Sequence, residues 1–190
     1  MSIDKQLFEA SLVHLGPIDH EKDPEIVSRW THDSGFMRMM YTEPMRPLSI
    51  SQVKKNLEEF EKKMEEDKNH FHFRIRTRSD DRLVGFADLM WITWTNSMGF
   101  IRLGIGAPED RRKGYGRETV SLLLRYAFDE LNLHRLSAII PEYNLPAQAL
   151  FQGFGFLEEV RRRQALERAS RRWDLLQFGL LADEWKEKRK

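Results

Sequence analysis

The chain of 190 residues is about the size of one compact domain, and its 41% hydrophobic and 32% charged content is that of a folded protein. No apolar run approaches the roughly 18 residues of a membrane-spanning helix, and zero cysteines exclude disulfides, thiolate metal sites and a cysteine nucleophile. With 31 basic and 30 acidic residues, the formal net charge of +1 lacks the positive excess typical of nucleic-acid-binding proteins. We therefore expect a cytoplasmic protein that binds no membrane.

The first half of the chain predicts a strand over residues 9–15 and a helix over residues 23–30. Asp23-Pro24 indicates the start of that helix, because proline is favoured at the first helical position after a capping residue. Residues 31–47, rich in methionine, aromatic residues and proline, are expected to be irregular. Ser49, with Gln52 three residues later, forms a capping-box pattern that predicts a long helix to about residue 67.

The second half of the chain combines predicted strands with two helices. Strand-like composition and turn residues predict strands at residues 71–77, 83–94, 100–106, 136–140, 156–164 and 173–181. An apolar stripe predicts a helix over residues 116–131, and a shorter helix is expected at 146–151. Residues 161–176 also fit an amphipathic helix. The strand–helix–strand order of residues 100–140 indicates an α/β architecture with at least one parallel strand pair.

A basic, glycine-containing loop joins the predicted strand at 100–106 to the helix after it. It consists of Arg111, Arg112, Lys113, Gly114, Tyr115 and Gly116. Its glycines allow a tight turn, and the free N–H groups of the following helix, with three basic side chains, favour a phosphate or pyrophosphate. The pattern alone is equally compatible with a turn that binds nothing. It lacks the features of a P-loop and of a dinucleotide-binding fingerprint.

The spacing Arg111-x-x-Gly114-x-Gly116 resembles the acetyl-CoA-binding motif of the GNAT acetyltransferases, Gln/Arg-x-x-Gly-x-Gly/Ala. Other segments match the same family in the same order and at its usual spacing: Asn144-x-x-Ala147 and Gly155-Phe156. Residues 126–135 and the ending from Trp173-Asp174 to Trp185 resemble the RimJ/RimL-like branch. The resemblance is dense over about residues 83–185 and thin over the first 80 residues.

The resemblance implies a fold, a domain and an activity. The fold would be a mixed six- to seven-stranded sheet flanked by about four helices. Residues 1–190 would form one GNAT domain, with 1–8 an N-terminal extension and 186–190 a charged tail. The activity would be transfer of an acetyl group from acetyl-CoA to a primary amine, either a protein N-terminal α-amine or a small-molecule amine such as a polyamine. Attack would be direct, in a ternary complex, because no cysteine can carry the acetyl group.

An alternative of a different class stays open: a GNAT-like domain that binds an acyl-CoA without turnover and serves as a sensor or partner. Free thiol release with mixed amines would separate the two. The resemblance also leaves room for a homodimer, and for contact with nucleic acid only if the protein associates with the ribosome.

The resemblance assigns cofactor-binding residues to three places. Pantetheine would insert beside the splayed fourth strand, at Leu103, Gly104 and Ile105. Pyrophosphate would lie on the backbone of Arg111, Arg112, Lys113, Gly114, Tyr115 and Gly116. Asn144 and Ala147 would face the distal part of pantetheine, and Phe151 is counted with them among the cofactor-binding residues. A backbone N–H near Leu103 to Ile105 would hold the oxyanion of the tetrahedral intermediate.

The acid and the base of the reaction are not settled by the resemblance. Many GNAT enzymes have a tyrosine that protonates the leaving thiolate where this chain has Phe151, so that role is vacant, filled by water, or taken by another residue such as Tyr143. Asp88, in the middle of a predicted strand, is one candidate base, although strand alternation favours a solvent-facing carboxylate. Glu142 is a second candidate base.

Two further groups of residues complete the predicted site. Tyr41 and Glu43 lie in the segment that lines the acceptor pocket in this family. His70-x-His72 has the alternation of a metal-ligand pair, but no carboxylate accompanies it at a suggestive spacing. We therefore predict that no metal is bound.

Overall fold

Seven strands form one mixed sheet in the computed structural model, which describes residues 6–188, and their order is β1-β2-β3-β4-β5-β7-β6. Every neighbouring pair is antiparallel except β4 and β5, which are parallel. The strands are β1 (Val13–Gly16), β2 (Phe71–Thr77), β3 (Leu83–Thr93), β4 (Met98–Ile105), β5 (Arg135–Pro141), β6 (Leu157–Arg168) and β7 (Arg171–Leu181).

Six α-helices, rather than about four, occur in this part of the chain. They are α1 (Asp23–His32), α2 (Ser34–Met40), α3 (Ile50–Glu66), α4 (Tyr115–Arg125), α5 (Leu145–Phe154) and α6 (Ala182–Glu187). Helix α2 contradicts the irregular segment predicted there. Asp33 caps it by accepting a hydrogen bond from the Phe36 N–H at 3.0 Å, and its Phe36 and Met37 side chains are buried.

Local signals predicted most other elements well, with two exceptions. Ser49 and Gln52 form the reciprocal capping box, and α3 follows it. Asp23 is not the cap of α1, whose N-cap is Lys22; its buried carboxylate instead accepts hydrogen bonds from Arg74 and Arg76 of β2. The helical alternative for residues 161–176 is wrong, because these residues belong to β6 and β7, and β7 is paired along both of its edges.

The sheet is covered on both faces. Helix α4 packs on one face over the main hydrophobic core, which includes Val120, Leu123 and Leu124. On the other face, a second cluster joins Trp30 and Phe36, from α1 and α2, to Phe86 of β3. No helix in residues 6–188 is long and apolar enough to cross a membrane.

A gap opens between the two parallel strands. Pairing of β4 with β5 runs only from Met98, opposite Arg135, to Phe100, opposite Ser137. Beyond Phe100, β4 continues to Ile105 with β3 as its neighbour and, within the described chain, no partner in β5. The backbone edge of residues 101–105 therefore lacks a neighbouring strand on the β5 side, and Leu103 in this stretch lies near Gly116 of α4.

Candidate active site

The basic loop ends at an uncapped helix N-terminus. Gly114 is the N-cap of α4 and has φ of +90°, a left-handed conformation that favours glycine. No side chain caps this helix, and the N–H groups of Gly114, Tyr115 and Gly116 have no acceptor among the described residues. Free N–H groups and the positive end of the helix dipole together attract an anion.

Gly116 lies at the mouth of the gap between β4 and β5. A Cβ atom at this position would come within 3.6 Å of Leu103 on β4 and 3.6 Å of Leu150 on α5, which is ordinary contact distance. No protein atom therefore requires glycine here, yet a larger side chain would project between those two residues. The gap, the glycine and the uncapped helix are together suited to an extended ligand that carries an anionic group.

Arg111 does not strengthen this anion site with its side chain, contrary to expectation. Its guanidinium donates to the Gly106 carbonyl at 2.6 Å, to the Ile105 carbonyl at 3.3 Å and to the Asp33 carboxylate at 3.0 Å. It therefore joins the end of β4 to the start of α2. Arg112 is exposed and has φ of +61°.

A buried carboxylate directly before the loop, that of Asp110, anchors it. Asp110 is 1% exposed and accepts two hydrogen bonds from the Arg82 guanidinium, at 2.7 and 2.8 Å. The Lys113 ammonium lies 3.5 Å from the same carboxylate. These hydrogen bonds, chiefly those from Arg82, lower the pKa of Asp110, so the carboxylate remains charged and holds the loop in place before α4.

Asn144 and Tyr143 connect the start of α5 to the end of α2. The Asn144 side chain accepts from the Ala147 N–H at 3.3 Å, as an N-cap, and donates to the Met39 carbonyl at 3.3 Å. The Tyr143 hydroxyl donates to the Arg38 carbonyl at 2.8 Å. The predicted proton donor Tyr143 is thus already engaged with the backbone, and the Asn-x-x-Ala spacing has a local structural cause.

Phe151 belongs to the core rather than to a ligand surface. It is 4% exposed, and its ring centroid lies 5.0 Å from that of Phe156 in an edge-to-face arrangement. The inclusion of Phe151 among the cofactor-binding residues is therefore corrected: its ring packs against protein. Its neighbour Leu150 is the α5 side chain nearest the gap beside Gly116.

Glu142 is bonded to the hairpin that β6 and β7 form. Its carboxylate accepts from the Asp174 N–H at 3.0 Å and lies 3.7 Å from the Arg161 guanidinium. The backbone N–H of Glu142 also donates to the Asp174 carbonyl. This carboxylate fixes β7 against the end of β5, which leaves it poorly placed to accept a proton from a substrate.

Asp88 is fully buried, so the solvent-facing orientation favoured by strand alternation is wrong. One carboxylate oxygen accepts from His70 Nε2 at 2.9 Å and from His72 Nδ1 at 2.7 Å, and the other accepts from Arg102 at 2.9 and 2.7 Å. Burial alone would raise the pKa of this carboxyl, but the hydrogen bonds and the Arg102 charge outweigh it, and the pKa lies far below its ordinary value. A carboxylate this acidic is a poor general base.

His70 and His72 therefore do have a carboxylate partner, which spacing along the chain did not reveal. Asp88 lies directly opposite His72 in the antiparallel β2–β3 pair. The predicted strands 71–77 and 83–94 are separated by five residues centred on Asp80, and His72 and Asp88 are each eight residues from it, so the hairpin register was the signal that could have found the pair. Because each histidine donates to the carboxylate and Arg102 occupies its second oxygen, we assign a hydrogen-bond network. The absence of a metal stays a prediction.

A cavity of about 320 Å³ lies between the sheet and helices α1 to α3. Its lining is largely apolar and aromatic, and its charged or titratable members include His72, Arg74 and Arg102, with no acidic residue among the described lining. Two buried polar atoms in this lining, Nε2 of His72 and one terminal nitrogen of Arg74, have no hydrogen-bond partner in the described structure. Such atoms are unusual in a folded protein, because a buried polar group is normally paired with protein, water or a bound molecule.

Tyr41 and Glu43, the predicted acceptor-site residues, lie at adjoining cavities. Tyr41 lines the large cavity, where the Arg102 guanidinium is 5.8 Å from its ring centroid. Burial raises the pKa of the Tyr41 phenol, so its hydroxyl keeps its proton. Glu43 lines a smaller cavity of about 240 Å³ that shares Met37 and Met45 with the larger one.

Known proteins resemble this chain over most of its length. A family model described as an acetyltransferase (GNAT) domain matches residues 13–157. The uncharacterized N-acetyltransferase YnaD of Bacillus subtilis is 26% identical over 167 residues, which cover 86% of this chain and 91% of that protein.

Two solved structures from Vibrio cholerae share the fold. A spermidine N-acetyltransferase in complex with CoA and spermine superposes with a TM-score of 0.78 at 23% identity, covering 92% of this chain and 98% of that chain. A candidate ribosomal-protein-serine acetyltransferase superposes with a TM-score of 0.73 at 21% identity, covering 95% of this chain and 99% of that chain.

Proposed function

The chain belongs to the GNAT acetyltransferase family, and on that premise we propose where it binds acetyl-CoA and which class of amine it acetylates. It is an N-acetyltransferase with acetyl-CoA as cosubstrate. When bound, acetyl-CoA supplies a thioester whose carbonyl carbon is attacked by the amine. The residues of this chain have to hold that thioester, stabilise the charge that develops on its oxygen, and admit an amine from one side.

We assign acetyl-CoA binding to the gap beside β4. Leu103, Gly104 and Ile105 pair with β3 on one edge, and their other edge offers N–H and carbonyl groups to the amides of pantetheine, as an added strand would use them. The Ile105 carbonyl is the exception, because it accepts from Arg111. One of these N–H groups is suited to hold the developing oxyanion. The free amides at Gly114, Tyr115 and Gly116 are suited to pyrophosphate. Asn144 and Ala147 shape the far side of the gap through the start of α5.

The large cavity is the proposed acceptor site. It borders β4 at Arg102, the residue next to Leu103, and Tyr41 forms part of its wall. An amine in this cavity would approach β4 from the face covered by α1 to α3. This location uses Tyr41 as predicted, whereas Glu43 would contribute through the adjoining smaller cavity.

The charge of the cavity lining is the observation that indicates which class of amine the protein accepts. A polyamine has several ammonium groups, which require nearby carboxylates, but the described lining has no acidic residue and includes two arginines. Asp88 and Asp23, which lie behind it, are already bonded to these arginines and their neighbours. A cavity of this charge favours an amine that is partly neutral near pH 7.

We therefore propose an N-terminal α-amine of a peptide or protein whose first side chain is apolar. An α-amine has a pKa of about 8, well below the value of about 10.4 for an alkyl amine such as that of lysine. Its peptide carbonyl could accept from the unpartnered Arg74 nitrogen, and its side chain could fill the apolar cavity. This choice agrees with the RimJ/RimL-like resemblance, which we likewise propose rather than a polyamine branch.

The test measures free thiol release from acetyl-CoA with two amines. We expect a short peptide with N-terminal phenylalanine to give a kcat/KM at least tenfold above that of spermidine. The same peptide with a blocked N-terminus is the control and should release nothing. Faster turnover of spermidine would contradict the acceptor class, and no release with any amine would favour the non-catalytic alternative.

The domain limits complete the proposal. We infer one domain over residues 1–190, supported at its C-terminal end by Trp185 of α6, whose ring lies 5.3 Å from that of Phe128 in the core. Residues 186 and 187 of the predicted charged tail belong to α6, and residues 189 and 190 lie outside the described part of the chain. Residues 1–5 of the predicted extension lie outside the described part of the chain. A homodimer and a cytoplasmic location stay predictions.

A further inference from the structure

We propose that His72 is the proton acceptor of the acetyl transfer and that Asp88 is its positioning residue. The inference rests on the proposed function, because it takes the large cavity to be the acceptor site. His72 lines that cavity, its Nδ1 is 2.7 Å from the Asp88 carboxylate, and its side chain is 6% exposed. Its Nε2 is buried and has no partner in the described structure.

The tautomer of His72 follows from its partner. Asp88 is ionised, so its oxygens can only accept hydrogen bonds, and Nδ1 of His72 must carry the proton between them. A neutral imidazole has one protonated nitrogen, which leaves a lone pair on Nε2. Nε2 is also the ring nitrogen farther from the strand backbone, and the residue lines the cavity between the sheet and helices α1 to α3.

The surroundings of His72 keep the ring neutral near pH 7. Burial lowers the pKa of His72 most strongly, and the charges of Arg74 and His70 lower it further, whereas Asp88 raises it. Across the network, Arg102 is bonded to Asp88 and lies beside Tyr41, and from α3 the uncharged Phe60 ring packs edge-on against His72 at 5.1 Å. A neutral, buried ring that lines a cavity and has an unpartnered Nε2 has the properties of a general base.

The proton transfer can be written with all its atoms. His72 Nε2 takes one proton from the amine nitrogen as the lone pair of that nitrogen forms the bond to the acetyl carbon. The electron pair of the broken carbon–sulfur bond leaves with the CoA thiolate. The imidazolium formed on His72 is stabilised by the adjacent Asp88 carboxylate, and its proton then passes to the thiolate or to solvent, which restores the neutral ring.

The other candidate groups are less suitable in this arrangement. Asp88 is held ionised by four donor contacts, Glu142 is bonded to the last hairpin, and the Tyr143 hydroxyl donates to a backbone carbonyl. His70 bonds to the same oxygen of Asp88 through its Nε2, but it is not part of the cavity lining. The two histidines therefore share a partner and differ in access to the acceptor site.

That difference supplies a matched pair of variants. His72→Asn keeps an amide N–H near the position of Nδ1, where it can donate to Asp88, and removes the atom that corresponds to Nε2. His70→Gln keeps an amide N–H near the position of Nε2, which is the atom that His70 uses. Both variants preserve a hydrogen bond to the carboxylate, and only the first removes the proposed proton acceptor.

We expect His72→Asn to lower kcat at pH 7 by about 10²- to 10⁴-fold with the peptide acceptor, with KM changed less than threefold. The loss should shrink toward pH 9.5, where hydroxide can accept the proton in place of the imidazole. His70→Gln should stay within about threefold of wild type. Both variants should keep the thermal stabilisation by acetyl-CoA, which checks that they fold.

A second measurement is independent of turnover. Long-range ¹H–¹⁵N spectra of the free protein should show His72 as a neutral ring with the proton on Nδ1 at pH 7. A ring protonated on Nε2, or charged at pH 7, would overturn the inference, as would equal kcat for His72→Asn and wild type. If wild type acetylates no amine, the proposed function fails, and the spectra alone decide the state of His72.

Discussion

Asp88 and Arg102 face each other across β3 and β4, and one carboxylate oxygen accepts hydrogen bonds from two nitrogens of the guanidinium, at 2.9 and 2.7 Å. This arrangement places a charged pair under the cavity in the middle of a sheet. It leaves the second carboxylate oxygen for the two histidines of β2. The same carboxylate thus connects three strands and sets the protonation of the groups around it.

Stability should fall on acidification in two stages because of this network. The pKa of His72 is lowered by folding, so the folded state loses stability as pH falls below the unfolded value of about 6.5. The pKa of Asp88 is also lowered, so its contribution is complete above an unfolded value of about 3.9 and is lost below it.

Replacing His72 isolates the first stage, the loss of stability that protonation of its ring causes. Protonation of His72 should lower the free energy of unfolding of the wild type by at most about 1.4 kcal/mol per pH unit, measured by urea unfolding at pH 7, 6 and 5. In His72→Asn the decrease over that range should be smaller, since the titrating ring is gone. Parallel curves for the two proteins would contradict a lowered pKa for His72.

Gly116→Val should abolish most of the increase in melting temperature that acetyl-CoA produces, with little change in the stability of the free protein. A Cβ at this position meets Leu103 and Leu150 at ordinary contact distance, so the fold admits it, and we expect the two methyl groups of valine to extend into the gap beside β4. Ligand stabilisation follows mass action and is lost with affinity.

Gly153→Val is the matched control for this loss of binding. Gly153 lies in α5, and a Cβ there would approach only the Arg117 guanidinium, at 3.9 Å. It should keep the full thermal shift. Gly114 is a poorer target, because φ of +90° makes any other residue there strained before a ligand is considered. If acetyl-CoA raises the melting temperature of Gly116→Val as much as that of the wild type, the gap is not part of the acetyl-CoA site.

Phe151→Ala should lower the free energy of unfolding by about 3 kcal/mol, because it leaves a cavity beside Phe156 in the core.

Phe151→Tyr should change kcat less than tenfold, since the thiolate of CoA leaves adequately without a proton near neutral pH. Chemical unfolding and thiol release between pH 6 and 9 are the measurements. A large gain in turnover at low pH for Phe151→Tyr would instead mean that protonation of the thiolate limits the reaction.

Hydrogen-bonding patterns between near neighbours made much of the scaffold predictable. The Ser49–Gln52 capping box and the Asn144 cap of α5 each depend on residues three positions apart. Helix α2 was missed because its cap, Asp33, lies in a segment whose proline and methionine content resembled a loop, and because its apolar residues are buried by packing on β3 and β4.

The sequence by itself determined the family, and it predicted the phosphate loop and the strand beside the pantetheine site, since these are carried by short motifs at fixed spacing. Only the tertiary structure decided that Arg111 points away from the anion site, that Phe151 is core, and that His72 rather than Asp88 has a free nitrogen at the cavity. The physical reason is that a side chain's protonation and availability depend on its partners. Those partners come from neighbouring strands and covering helices, and their identity follows from register and packing rather than from adjacent residues.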